Sequence, residues 1–212
     1  YRTSFSFLDI QSKKLTQSQT KWMDAYCCGN LMVHQIKLPL SLSSYRPHSD
    51  IDRQYDVLFR VSGYTNWHIT NADGAQCLII DNTNIDNSTT VNLPDLAAIS
   101  TSPGMAYDYK MDNLFVIGGF RQGKTRKIIQ KIQLNKMSND FEIIPTEMLH
   151  AREGCVGTVI NHKLLIIGGY DGTESLNEVE LYDDGDGMHN ENTAGSTAQK
   201  AMNYVRYKPG LY

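Results

Sequence analysis

Long hydrophobic runs are missing from this 212-residue sequence; its longest apolar stretches, such as Leu114–Ile117 and Leu164–Ile167, hold four residues. A membrane-crossing helix needs ~20, so none is expected. A strong charge of one sign is missing too: Lys+Arg 20 stand against Asp+Glu 23, for a formal net charge of -3. That balance argues against a nucleic-acid surface and against a polybasic membrane patch. Cysteine is sparse, with Cys27, Cys28, Cys77 and Cys155 and no Cys-x-x-Cys pair. The adjacent Cys27 and Cys28 cannot bridge without strain. So thin a framework fits a reducing compartment, and the expected location is the cytoplasm, with the nucleus also compatible. An initiator Met and a signal peptide are absent as well, so the chain reads as an excerpt of a longer protein.

Hydrophobic residues at 41% and charged residues at 20% suit a folded domain. Proline is rare (6), while 15 Asn and 16 Gly cluster between short apolar runs, which is the punctuation of many short strands.

Internal repetition organises those strands. Leu114-Phe-Val-Ile-Gly118-Gly119-Phe120 returns fifty residues later as Leu164-Leu-Ile-Ile-Gly168-Gly169-Tyr170. A weaker copy, Val57 to Tyr64, carries Ser62-Gly63 in place of the glycine pair. Seventeen residues before the second Gly stand Arg46, Ser102 and Arg152, and fifteen before it His48, Gly104 and Gly154. Each Gly pair is followed by a polar loop and a third strand, Cys77–Asp81 or Val179–Asp183; Phe5–Asp9 has the same shape. Fourth strands are expected at Ile36–Pro39, Val91–Pro94 and Phe141–Pro145, and a last one at Val205–Pro209. Four short strands in ~50 residues is the size of a propeller blade. The small Gly pair lets the chain turn and neighbouring sheets approach.

These residues resemble the kelch repeat family. The match is best over Arg152-x-Gly154-Cys155, Leu164 to Thr173 and Leu176 to Asp183, good around Gly118-Gly119 and degenerate around Gly63. All three units lack the Trp usual before the fourth strand, where Val91 and Phe141 stand. The resemblance implies an all-β fold, a kelch-like β-propeller of four-stranded antiparallel blades. About three and a half blades are expected here, fewer than the five to seven of a closed ring. The expected units are 1–45 (the end of a preceding blade and an insertion around Leu15–Met32), 46–101, 102–149 and 150–212, the last with an acidic Gly-rich loop.

Several motifs invite chemistry. Gly118-Gly-Phe-Arg-Gln-Gly123-Lys124-Thr125 fits the Gly-x4-Gly-Lys-Thr pattern of a phosphate loop, with Arg126–Asn135 as a helix. Its alignment with Gly168-Gly169, whose loop is no phosphate loop, favours a repeat turn; nucleotide binding stays as an alternative. Asp184-Gly-Asp-Gly-Met188 fails the calcium-loop pattern at its fifth position. His34, His48, His68, His150, His162 and His189 form no zinc-type pair, and no metal or cofactor is expected. Cys155 reads as a packed thiol. Arg46 and Arg152 recur at one position and are expected to bond carbonyls or a neighbouring carboxylate.

What remains is a surface. In the family, loops joining second to third strands open on one face, and rigid scaffolds bind through such loops. Here they carry Tyr64, Asn66, Trp67 and His68; Phe120, Arg121, Lys124 and Arg126; and Tyr170, Asp171 and Glu174. Aromatics and Arg are the usual hot spots, and the middle loop suits an acidic partner. Gly63, Gly118, Gly119, Gly168 and Gly169, with Arg46 and Arg152, are the structural repeat residues. The resemblance implies a non-catalytic protein-interaction module, an adaptor or regulatory subunit of a complex such as a ubiquitin ligase. A signalling or cytoskeletal scaffold and a copper-oxidase-like propeller enzyme are alternatives.

Overall fold

The computed structural model describes residues 6–9, 14–17, 31–50, 52–61, 64–65, 70–71, 74–98, 100–136, 141–183 and 195–203. Among these the chain is all strand and turn apart from short 3-10 segments, the longer at Leu40–Tyr45. No helix among them is long and apolar enough to cross a membrane.

A hairpin comes first, β1 (Ser6–Asp9) against β2 (Lys14–Gln17). Three four-stranded antiparallel sheets follow. The first runs β3 (Leu31–Lys37), β4 (Gln54–Val61), β7 (Ala75–Ile80), β8 (Thr89–Leu93), with the hairpin β5 (Tyr64–Thr65) and β6 (Thr70–Asn71) between β4 and β7. The second runs β9 (Gly104–Asp108), β10 (Asn113–Ile117), β13 (Ile129–Gln133), β14 (Glu142–Ile143), with the hairpin β11 (Phe120–Arg121) and β12 (Lys124–Thr125) inserted alike. The third runs β15 (Val156–Ile160), β16 (Lys163–Ile167), β17 (Val179–Asp183), β18 (Gly195–Ala198). Within each sheet every strand pairs with the one before it in order, the small hairpins aside, so each sheet forms a separate blade.

Cores lie between the sheets. Alternation sends Val57, Phe59, Cys77 and Ile79 of the first sheet against Met105, Tyr107, Leu114 and Val116 of the second. The Phe59 and Tyr107 rings meet there, 5.1 Å between centroids. The opposite face of the second sheet (Ala106, Phe115, Ile117, Ile129) packs on Leu164, Ile166 and Tyr182 of the third. Burying each such Val, Leu, Ile, Phe or Met side chain contributes roughly 1.5–3 kcal/mol. Gly157 permits the close approach, because a Cβ there would lie 2.4 Å from Ile117 Cδ1 and 2.8 Å from the Met105 carbonyl oxygen.

The two ends of the stack differ. The outer face of the first sheet is covered, with Leu58, Leu78 and Ile80 all buried. The outer face of the third is half-buried at Val156, Leu165, Ile167, Val179 and Leu181, and Ile160 keeps 52% exposure.

Three strand expectations are corrected. Ile36–Lys37 belongs to β3 and pairs with β4, so it is the first strand of the first sheet and no fourth strand of a preceding one. A long connection, residues 38–53, joins β3 to β4 and disguised the relation. Arg126–Asn135 contains strand β13 and no helix. The last fourth strand is Gly195–Ala198; an edge strand of small polar residues leaves little apolar pattern to read. Val205–Pro209 lies outside the described residues.

Candidate functional site

The loops between second and third strands begin at the glycine pairs. Gly118 (φ 60) and Gly119 (φ 97) adopt backbone that L side chains avoid, as do Gly168 (φ 59) and Gly169 (φ 107). A Cβ on Gly118 would sit 2.2 Å from the Arg152 carbonyl oxygen. The turn aims β11 outward, and a two-residue turn, Gln122 (φ 51) and Gly123 (φ 79), returns β12. Both central residues at positive φ give the twist that suits a tight hairpin. Phe120 faces Thr125, and Arg121 faces Lys124. Like charges directly opposite repel, so the hairpin is held by its base. There the Thr101 and Phe120 amides each donate to the other's carbonyl (2.9 and 2.8 Å), and the Arg126 amide donates to Gly119 (2.9 Å). Lys124 is exposed; Phe120, Arg121 and Arg126 are half-buried.

The third sheet repeats the arrangement with opposite charge. Tyr170 and Glu153 exchange backbone bonds, each 2.9 Å. Asp171 then closes a turn: its Oδ1 accepts from the Thr173 hydroxyl and amide (both 2.6 Å) and from the Glu174 amide (2.8 Å). The Thr173 hydroxyl, then those amides, hold this carboxyl below its ordinary value. Asp171 is therefore occupied in shaping its own loop, and Glu174 is the exposed acid beside it. The Thr125 hydroxyl donates to the Asp171 carbonyl, so the two loops touch.

Beneath the loops lies a buried ion pair. Arg152 Nη2 donates to Glu180 Oε1, and Nη1 donates to the Gly168 carbonyl at 2.8 Å. Glu180 also accepts from the Leu149 amide (2.8 Å) and the His150 amide (3.2 Å). The second sheet does the same with neutral groups: Ser100 Oγ donates to the Gly118 carbonyl (2.9 Å), and Gln130 bonds both the amide and the carbonyl of Ala98 (2.8 Å each). Ser100, not Ser102, is thus the counterpart of Arg152. The β9–β10 turn (residues 109–112) is longer than the β15–β16 turn (161–162), which displaced the count from Gly.

Comparison with known proteins bears on the fold. A model of the Kelch motif matches residues 151–186. The sheets are kelch-type propeller blades. A solved structure entitled "Structure of YjhT" resembles the chain with a TM-score of 0.51 at 12% identity, over 70% of this chain and 49% of that one. The chain thus spans about half the length of YjhT, and at this identity the likeness concerns the fold alone. No curated protein matches.

In kelch terms, the reading of Gly118–Thr125 as a phosphate loop loses its helix. The motif is the β11–β12 hairpin of the second blade, and β13 follows it. Arg46 is not the first blade's Arg152: it follows the Leu40–Tyr45 segment inside the β3–β4 connection, half-buried, its amide turned to the Ser43 carbonyl (3.4 Å). Backbone strand β5 begins at Tyr64; Gly63, Asn66, Trp67 and His68 lie outside the described residues. No three His, Cys, Asp or Glu side chains gather as for a metal among the described residues. Cys155 is buried, and its thiol is pushed up to about 11 by that burial.

The opposite edge of the blades is acidic. Asp81, with no exposed side chain, meets His48 Nε2 at 3.0 Å. Asp108, at the end of β9, meets His162 Nδ1 of the third blade at 3.0 Å. Its Oδ1 accepts from the Lys110 amide at 2.9 Å. Sequence reasoning missed this edge and the polar position Gln130/Glu180, because a single polar residue in an apolar strand looks like noise until its partner is seen.

Proposed function

We propose that the chain is a non-catalytic protein-interaction module that uses the loop face of its kelch blades. Kelch repeats generally mediate protein–protein contacts, and the motif at residues 151–186 supports such a role here. The observation that carries the reading is the contact between the β11–β12 hairpin and the Tyr170–Glu174 turn, which joins Phe120, Arg121, Lys124 and Arg126 to Tyr170 and Glu174 as one surface. A rigid basic tip with half-buried aromatics suits an acidic segment of a partner. Tyr64, Asn66, Trp67 and His68 extend the same face in this proposal, and Asp171 holds its shape.

The partner is a subunit of a larger assembly, with the protein acting as adaptor or regulatory subunit in the cytoplasm or nucleus, and a ubiquitin ligase is the assembly to test first. Affinity purification of the full-length protein with mass spectrometry is run beside a triple variant, Trp67→Ala, Arg121→Ala and Lys124→Ala. Ligase subunits that vanish with the triple variant support the reading. Retention of the same partners by the variant removes this face from it.

A further inference from the structure

Between the first and second blades, on the edge away from the β11–β12 hairpin, lies a cavity of about 460 Å³. Its walls include Gln35, Lys37, Gln54, Tyr109 and Asp112. A cavity of this size falls within the range of ligand pockets, roughly 300–1,000 Å³.

Asp112 is its distinctive wall. It stands at φ 54 in the β9–β10 turn, a conformation uncommon for a residue with a side chain. Strain of that kind collects at binding sites. Its Oδ1 accepts from the Tyr107 hydroxyl at 2.7 Å, and no cation lies within ion-pair distance of it among the described residues. Burial pushes its carboxyl above the ordinary value; the Tyr107 hydroxyl pulls it back, and Asp108 adds to the push. Lys110, in the same turn, is exposed to solvent. Asp108 faces His162, and Lys37 Nζ lies 2.8 Å from Asp52 Oδ1. Tyr109 is 65% exposed, the most open of the large apolar side chains among the described residues.

We propose that this cavity receives an arginine side chain of a partner protein, with Asp112 taking its guanidinium and Tyr109 offering a face to stack on. Among the described residues no cation pairs with the carboxylate, and its charge disfavours an anionic ligand. A planar guanidinium suits the site better than an ammonium group: it has five N–H donors, the carboxylate can accept two, and the Gln35 and Gln54 side chains supply further carbonyl acceptors. An arginine over a tyrosine face adds a cation–π contact. The site lies on the other edge from the loop face and does not depend on that reading.

The test is a titration of the ¹⁵N-labelled chain with the capped peptide acetyl-Gly-Arg-Gly-amide, followed by amide shifts. The same peptide with citrulline keeps the shape and lacks the charge. Saturable shifts are expected at residues 35–39, 54 and 109–112, with citrulline and Asp112→Asn each weakening binding about tenfold or more. Asp112→Asn keeps an oxygen for Tyr107, and an unchanged spectrum without peptide verifies its fold. Tyr109→Ala, at an exposed position, is expected to weaken binding several-fold through lost stacking. Equal binding of the citrulline peptide, wild-type binding by both variants, or no localised shifts at about 10 mM peptide would overturn the proposal.

Discussion

Arg152 and Glu180 form an ion pair with essentially no solvent on either side, their side chains 0% and 1% exposed. Removing one member leaves the other's charge buried and uncompensated. Glu180→Ala is expected to lower stability by about 3–5 kcal/mol, and Gln130→Ala, its neutral counterpart one blade earlier, by about 1–3 kcal/mol. Urea denaturation of the two variants measures the difference. A similar loss in both would mean that the charge adds nothing to the hydrogen bonds.

Gly118→Ala and Gly123→Ala separate crowding from backbone conformation. Both positions have positive φ, 60 and 79. A Cβ at Gly123 meets nothing within 4 Å, whereas one at Gly118 meets the Arg152 carbonyl oxygen. Gly123→Ala is expected to cost about 1–2 kcal/mol. Gly118→Ala adds overpacking, for about 2–5 kcal/mol in all. Thermal melts by circular dichroism give the ranking, and equal melting temperatures would refute it.

Acid sensitivity is expected to pass through Asp81. Burial alone would raise its pKa. The Thr83 hydroxyl, His48 and the amides of Thr83 and Asn84 overrule burial and hold the carboxyl well below its ordinary range. In the unfolded chain Asp titrates near ~3.9. As pH falls past that value the unfolded chain takes a proton that the native chain refuses. Stability is therefore full above it and declines towards the native pKa. Asp81→Asn is expected to be less stable at pH 7 and to lose less between about pH 5 and 2. Urea midpoints across that window decide, and parallel losses would count against Asp81.

The fold was legible because its signals are periodic and local. Gly118-Gly119 and Gly168-Gly169 mark where second strands end, and alternation in Val179–Asp183 marks a third strand. Register across units was less legible, since it depends on turn lengths. The β3–β4 connection hid Leu31–Lys37 as a first strand, and the longer β9–β10 turn hid Ser100 as the partner of Gly118. Of the candidate site, the basic hairpin could be read from Arg121, Lys124 and Arg126. Its contact with Asp171 could not, because it joins residues of two blades. Asp112 offered no signal: one acid in a turn is ordinary until the fold sets it beside a cavity.

The covered first sheet and the half-open third give the array a direction. In repeat arrays each member draws stability from the faces it buries, and among the described residues the third sheet buries less of its outer face than the first. Amide hydrogens of β16 and β17 should therefore exchange sooner than those of β4 and β7, with the middle sheet between them, so that unfolding proceeds as fraying from the Ile160 side inward.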